Sequence, residues 1–239
     1  MKIIIKYKND DTNYVQLNSL TSISHNENYD NIIYINYDYD DNDEFNSLPI
    51  LPLSLEILEC GMNSLTSLPE LPNLLCELYC IDNNLTSLPI LPNSLEKLYC
   101  CNNQLTSLPK LPNSLKELYC SYNQLNSLPK LPNSLKELKC CNNKLTSLPK
   151  LPNSLEKLKC YKNKLHFLPE LIDSLILLEY LYNDITDKIH FQDIYVNNIY
   201  YMSIPSDFHI LFERMINDGV VDNQILDKKY SYIKSISRD

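Results

Sequence analysis

A unit of twenty residues, L-x-x-L-x-C-x-x-N-x-L-x-x-L-P-x-L-P-x-S, recurs with little change through the middle of this 239-residue chain. Its first leucine returns at Leu55, Leu75, Leu95, Leu115, Leu135, Leu155 and Leu175. A short fixed period dictates a solenoid, because one unit cannot cover its own apolar face and must stack on its neighbours. Five leucines cannot offset the entropy of ordering twenty residues, so the end units need caps. Solenoids present surfaces rather than catalytic clefts, which points to binding before it points to chemistry.

One unit, residues 95–114, shows the local logic. Leu98 and Cys100 alternate with Lys97, Tyr99 and Cys101, the period-two pattern of a short strand with one buried face. Stacked units then give a parallel sheet with about 4.8 Å between strands. Asn103 and its equivalents Asn63, Asn83, Asn123, Asn143, Asn163 and Asn183 form a column at the turn. A buried amide both donates and accepts, so these side chains are expected to pair backbone groups the turn leaves open. On the return path Pro109 and Pro112 forbid a helix and favour extended, polyproline-like backbone.

The block SLPxLPxSLxxLxCxxNxL, as from Ser107 to Leu125, is the leucine-rich-repeat pattern. It resembles the short leucine-rich repeats of secreted bacterial effectors and the leucine-rich-repeat proteins of giant, mimivirus-like DNA viruses. The resemblance spans about residues 45–186, and the residue bias (no Ala, abundant Asn, Ile, Lys and Tyr) is nearer the viral group. It implies an α/β solenoid: a leucine-rich-repeat horseshoe with a parallel β-sheet on one face, extended segments on the other, and a cap at each end. It also implies an interaction scaffold. Effectors of this kind that act as ubiquitin ligases use a cysteine in a large domain after the array. Here the last cysteine is Cys160, inside the array, so no thioester chemistry is expected.

Three segments follow. Residues 1–44 fall out of phase, with Asp38 and Asp40 on the slots that Leu58 and Cys60 fill one turn later. They contain strand-like pieces at Lys2 to Lys8, Tyr14 to Leu17 and Ile32 to Tyr39, and are expected to form a β-rich cap. Residues 45–186 are the array. In residues 187–239, Phe208, Leu211, Phe212, Met215 and Ile216 follow helical spacing up to Gly219, which predicts a helical cap.

Charge and cysteine usage narrow the function. The net charge is −9, but residues 48–94 hold five acids and no Lys, whereas residues 95–174 hold twelve Lys and six acids. An acidic chain disfavours general nucleic-acid binding. The apolar run Ile3 to Ile5 is too short for a signal peptide, and no run reaches membrane-spanning length, so an intracellular protein is expected, in the host cytoplasm if viral. Six of the nine cysteines (Cys60, Cys80, Cys100, Cys120, Cys140 and Cys160) keep the twenty-residue period and should be buried, reduced thiols. Cys76, Cys101 and Cys141 are off it, and Cys101 and Cys141 are expected to face outward. No C-x-x-C pair or His spacing suggests a metal, and the acidic stretch Asp38 to Glu44 lacks the glycine of a calcium loop. No cofactor is expected.

The candidate site is therefore the solvent side of the sheet. One column runs Glu59, Tyr79, Tyr99, Tyr119, Lys139, Lys159, Glu179, and its neighbour Ile57, Glu77, Lys97, Glu117, Glu137, Lys157, Leu177. A third runs Gly61, Ile81, Cys101, Ser121, Cys141, Tyr161, Leu181. Tyr is enriched at binding hot spots, so Tyr79, Tyr99, Tyr119 and Tyr161 with Lys97, Lys139, Lys157 and Lys159 make a recognition patch for a protein partner, with the lysines favouring an acidic one. The competing reading is a structural or assembly component whose tyrosines merely favour strands and stack along the ladder. An adaptor for host ubiquitin machinery is a third. No acid–base pair, phosphate loop or nucleophile–base arrangement points to an enzyme.

Overall fold

One buried leucine between two surface-facing residues makes a three-residue strand in each repeat, and the buried cysteine follows directly after it. The computed structural model describes residues 2–8, 14–17, 28–38, 46–170, 172–180 and 182–184. Three strands precede the array: β1 (Lys2–Tyr7), β2 (Val15–Leu17) and β3 (Ile32–Asp38). The array supplies β4 (Ile57–Glu59), β5 (Glu77–Tyr79), β6 (Lys97–Tyr99), β7 (Glu117–Tyr119), β8 (Glu137–Lys139), β9 (Lys157–Lys159) and β10 (Leu177–Glu179). Among the described residues these form one sheet in the order β10-β9-β8-β7-β6-β5-β4-β3-β1-β2. Strands β3 to β10 run parallel in sequence order, each array strand pairing residue i with i+20 of the next. Strands β1 and β2 add antiparallel at the N-terminal edge.

The core is a stack of identical layers. In each repeat the strand leucine, the cysteine two residues on, and the leucines at the turns are buried, as in Leu95, Leu98, Cys100, Leu105 and Leu111. Cysteine is small enough to stack in register without overpacking, and its thiol asks for no hydrogen-bond partner. The periodic cysteines are buried as expected.

After each strand the backbone enters the left-handed region at one residue: Met62, Asp82, Asn102, Tyr122, Asn142, Lys162 and Tyr182, with φ between 51 and 57°. A side-chain-bearing residue there costs roughly 1–2 kcal/mol. The turn is held because it carries the following asparagine inward. The amide of Asn123 donates to the carbonyls of Cys100 (2.9 Å) and Cys120 (3.2 Å), while its oxygen accepts the backbone N–H of Leu105 (3.0 Å). Asn83, Asn103, Asn143, Asn163 and Asn183 repeat this, each bonding its own repeat and the one before.

On the return path the second proline of each unit is buried and its carbonyl closes a tight turn, as in the 3.2 Å bond from the Leu115 N–H to Pro112. The serine between them reaches across repeats, Ser114 Oγ donating to the Leu95 carbonyl at 2.6 Å. The outer wall is extended, as the prolines require. The only helical turn among the described residues is Tyr29–Asn31, a 3-10 turn.

At the N-terminal end the structure departs from the periodic reading in register. Strand β3 pairs with β4 through Tyr34 to Ile57, Ile35 to Leu58 and Asn36 to Glu59, an offset of 23 residues. Ile35 and Tyr37, rather than Asp38 and Asp40, therefore occupy the Leu58 and Cys60 slots. Both are buried, with Ile3 and Ile5 beside them. Asn63 confirms the equivalence by donating to the Tyr37 carbonyl, as Asn83 does to Cys60. At the other end Tyr180 takes the cysteine slot and is 7% exposed. The helix expected over 208–219 lies outside the described residues.

Replacing Asn123 with Ala should lower unfolding free energy by about 1–3 kcal/mol, because it orphans the Leu105 N–H and takes one of two asparagine donors from the Cys100 and Cys120 carbonyls. Lys130→Ala on the exposed outer wall should change it by less than about 0.5 kcal/mol. Urea unfolding of both variants checks this; equal losses would contradict the inward column.

Candidate functional site

The pleat decides which side chains reach the sheet surface. Register brings Glu59, Tyr79, Tyr99, Tyr119, Lys139, Lys159 and Glu179 into one row. Ile57, Glu77, Lys97, Glu117, Glu137, Lys157 and Leu177 form the next. Residues two apart on one strand share this face, so each ring of the first row has a carboxylate or ammonium of the second beside it.

The three tyrosines form a continuous ladder. Tyr79 meets Tyr99 edge to face, with centroids 4.9 Å apart and an interplanar angle of 84°. Tyr99 stacks on Tyr119 at 4.0 Å and 11°. The Lys139 ammonium caps the far end, 3.6 Å from the Tyr119 centroid. The Tyr79 hydroxyl donates to Glu77 and the Tyr99 hydroxyl to Glu117. Burial, reinforced by these carboxylate acceptors, raises the pKa of both phenols, which stay protonated donors.

Every lysine of the two rows is paired within the array. Lys97 meets Glu77 at 3.0 Å, Lys139 meets Glu137 at 3.1 Å, Lys157 meets the same Glu137 at 3.3 Å, and Lys159 meets Glu179 at 2.8 Å. Burial alone would raise the Glu137 pKa, but hydrogen bonds from Tyr119, Lys139 and Lys157 outweigh it and hold the carboxylate below its usual value. The glutamates of the second row are thus the partners that organise the face. The signal for them in the sequence was the i, i+2 spacing of Glu77 to Tyr79 and Glu137 to Lys139, together with the i, i+20 spacing along the rows.

The third row is not the open surface its position implied. Ser121 and Cys141 are buried at 8% and 2% exposure. The expectation that Cys141 faces outward is therefore wrong, whereas Cys101 is partly exposed. The difference lies in the next repeat. Cys101 is followed in its row by the small Ser121, but Cys141 is followed by Tyr161, whose hydroxyl lies against the thiol. Burial pushes the Cys141 thiol up to about 11. Tyr161 stands apart from the tyrosine ladder and serves as this cover. All nine cysteines are free. Among the described residues no cluster of His, Cys, Asp or Glu could hold a metal, and no helix is long and apolar enough to cross a membrane.

No protein-family model matches the sequence, and no curated protein does. Solved structures do. YopM, a leucine-rich effector protein from Yersinia pestis, is 41% identical over 63% of this chain and 43% of that one, with a TM-score of 0.59. A Shigella effector leucine-rich-repeat domain is 33% identical over 63% of this chain and 70% of that one, with a TM-score of 0.55. The chain spans less than half of the YopM structure it matches. It belongs to the leucine-rich-repeat proteins.

In the folded protein a charged maleimide should label Cys76 and Cys101, which are partly exposed, well before Cys141 and the six periodic cysteines. Mass spectrometry after short exposure reads the order, and early labelling of Cys141 would contradict the Tyr161 cover.

Proposed function

We propose that this chain is a non-enzymatic protein-recognition scaffold that engages its partner through the sheet face, centred on Tyr79, Tyr99 and Tyr119. The observation that carries this reading is the ladder itself: three half-buried rings in one row, aligned by the backbone and held by carboxylates. A pre-aligned aromatic row loses little entropy on contact with a partner, and aromatic side chains dominate interface energetics. Likeness to YopM and to the Shigella effector domain supports a protein partner in general. An acidic partner, the expectation from the lysine-rich half, has weaker support, because Lys97, Lys139, Lys157 and Lys159 already have carboxylate partners.

We extend the same reading to the ends and the setting. Residues 1–44 act as a β-rich cap that lays Ile35 and Tyr37 over the first repeat, and residues 187–239 act as the closing cap. Nine free thiols fit a reducing, intracellular setting.

A second reading, a structural component with no discrete partner site, is favoured by one observation. Stacking and the hydroxyl bonds to Glu77 and Glu117 satisfy the tyrosines without any partner. The outer wall offers a weaker surface, since its exposed Ile50 and Ile90 share a row interrupted by Glu70.

Changing Tyr79, Tyr99 and Tyr119 together to Ser separates the two. Recognition predicts that affinity capture of partners from native cells is lost while circular dichroism is unchanged. Melting should fall, because each aromatic pair contributes roughly 0.5–1.5 kcal/mol. If the variant melts lower yet keeps its partners, the ladder is packing alone.

A further inference from the structure

The ladder has two unlike ends, and only one of them is filled from within the chain. At the C-terminal end the row continues from Tyr119 to Lys139, whose ammonium lies 3.6 Å from the ring centroid and 3.1 Å from Glu137. The face thus builds its own cation site from a ring and an adjacent carboxylate. At the N-terminal end the row continues from Tyr79 to Glu59, so a carboxylate stands where the other end has the ammonium. The position that mirrors Glu137 is Ile57, which carries no charge, and Glu77 on the Tyr79 strand is held by the Tyr79 hydroxyl and by Lys97.

Glu77 at this end already pairs with Lys97 at 3.0 Å, but Glu59 has no such partner among the described residues. Residues 48–94 hold five acids and no Lys. Glu59 accepts a 2.8 Å bond from the Asn36 amide and lies beside the Tyr34 phenol, both neutral. Among the described residues no ammonium comes within ion-pair distance of Glu56 or Glu59, whereas Lys97, Lys139, Lys157 and Lys159 all have carboxylate partners. What the row lacks is a cation between Tyr79 and Glu59.

We propose that the Tyr79 end of the ladder, with Glu59, is a subsite for an arginine carried by a basic segment of a protein partner. This rests on the sheet face being the recognition surface and specifies what it recognises. A guanidinium is planar, so it can lie on the phenol ring and bond a carboxylate in the same plane. A lysine offers only a point charge, which suits the site less well. An acidic segment would meet Glu56 and Glu59, which have no ammonium partner among the described residues, and would be repelled.

The test uses the full chain and fluorescein-labelled peptides of about twelve residues, alternating Arg-Gly, Lys-Gly or Glu-Gly, read by fluorescence anisotropy at about 150 mM salt, where diffuse attraction is screened. The Arg peptide should bind at least about threefold more tightly than the Lys peptide, and the Glu peptide should not bind. Glu59→Gln and Tyr79→Ser should each weaken the Arg peptide at least about tenfold. Glu70→Gln, which removes the same charge from the outer wall, should stay within about twofold. Tyr79→Phe keeps the ring and should retain binding, which separates loss of the subsite from loss of folding. The proposal is overturned if the Arg peptide does not bind, if Glu70→Gln weakens it as much as Glu59→Gln, or if the Glu peptide is preferred. Such a result with partner capture still lost in the triple tyrosine variant would sink the arginine subsite and leave sheet-face recognition standing. Partners retained by the triple variant would sink both.

Discussion

Each inward asparagine ties two repeats together with one side chain, and the rest of the array depends on that bond set. The Asn123 amide serves carbonyls from two successive strands, and its oxygen holds an N–H of the preceding repeat. Without it the turn after each strand would carry buried, unpaired backbone groups, each costing about 1–3 kcal/mol. The same bonds sustain a left-handed residue in every repeat, including Met62, Tyr122, Lys162 and Tyr182, whose side chains disfavour that conformation. Leucine burial supplies the driving force, but it is non-directional. The asparagine column gives the stack its exact twenty-residue register, and register is what places three tyrosines in one row.

Much of this was legible because the repeat is so regular. Period-two alternation around Leu98 and Cys100 gave the strand, Pro109 and Pro112 gave the extended wall, and Asn103 gave the inward turn. Legibility failed where a contact depends on one neighbour rather than on the period. Cys101 and Cys141 hold the same slot, yet one is partly exposed and the other buried, because the next repeat brings Ser121 in one case and Tyr161 in the other. At the N-terminal edge the chain keeps the slot but lengthens the connection, so counting by twenty put aspartates where Ile35 and Tyr37 sit. The candidate face was readable as rows of residues. Its electrostatics were not, since pairing Lys157 and Lys139 with the same Glu137 needs geometry.

That pairing changes what the face can do. Exposed ion pairs add little stability, about 0–1 kcal/mol each. Their larger effect here is to neutralise the lysines and leave Glu59, beside Tyr79, without an ammonium partner among the described residues. Stability and recognition therefore draw on different layers of one repeat. Leucine, cysteine and asparagine face inward and stay nearly constant, while the outward positions vary from Glu to Tyr to Lys along a row. A solenoid allows this division, since surface residues change without disturbing the contacts between layers.

The central claim, that one asparagine couples two repeats, is tested most directly by amide hydrogen exchange at a single site. The Leu125 N–H is bonded by the Asn143 side-chain oxygen at 3.0 Å. It should exchange among the slowest amides of the protein, with the strand amides of β7. In Asn143→Ala the Leu125 amide should exchange at least about tenfold faster, while Leu85, two repeats away, keeps its protection. Fast exchange at Leu125 in the unaltered chain, or no change there on substitution, would contradict the account.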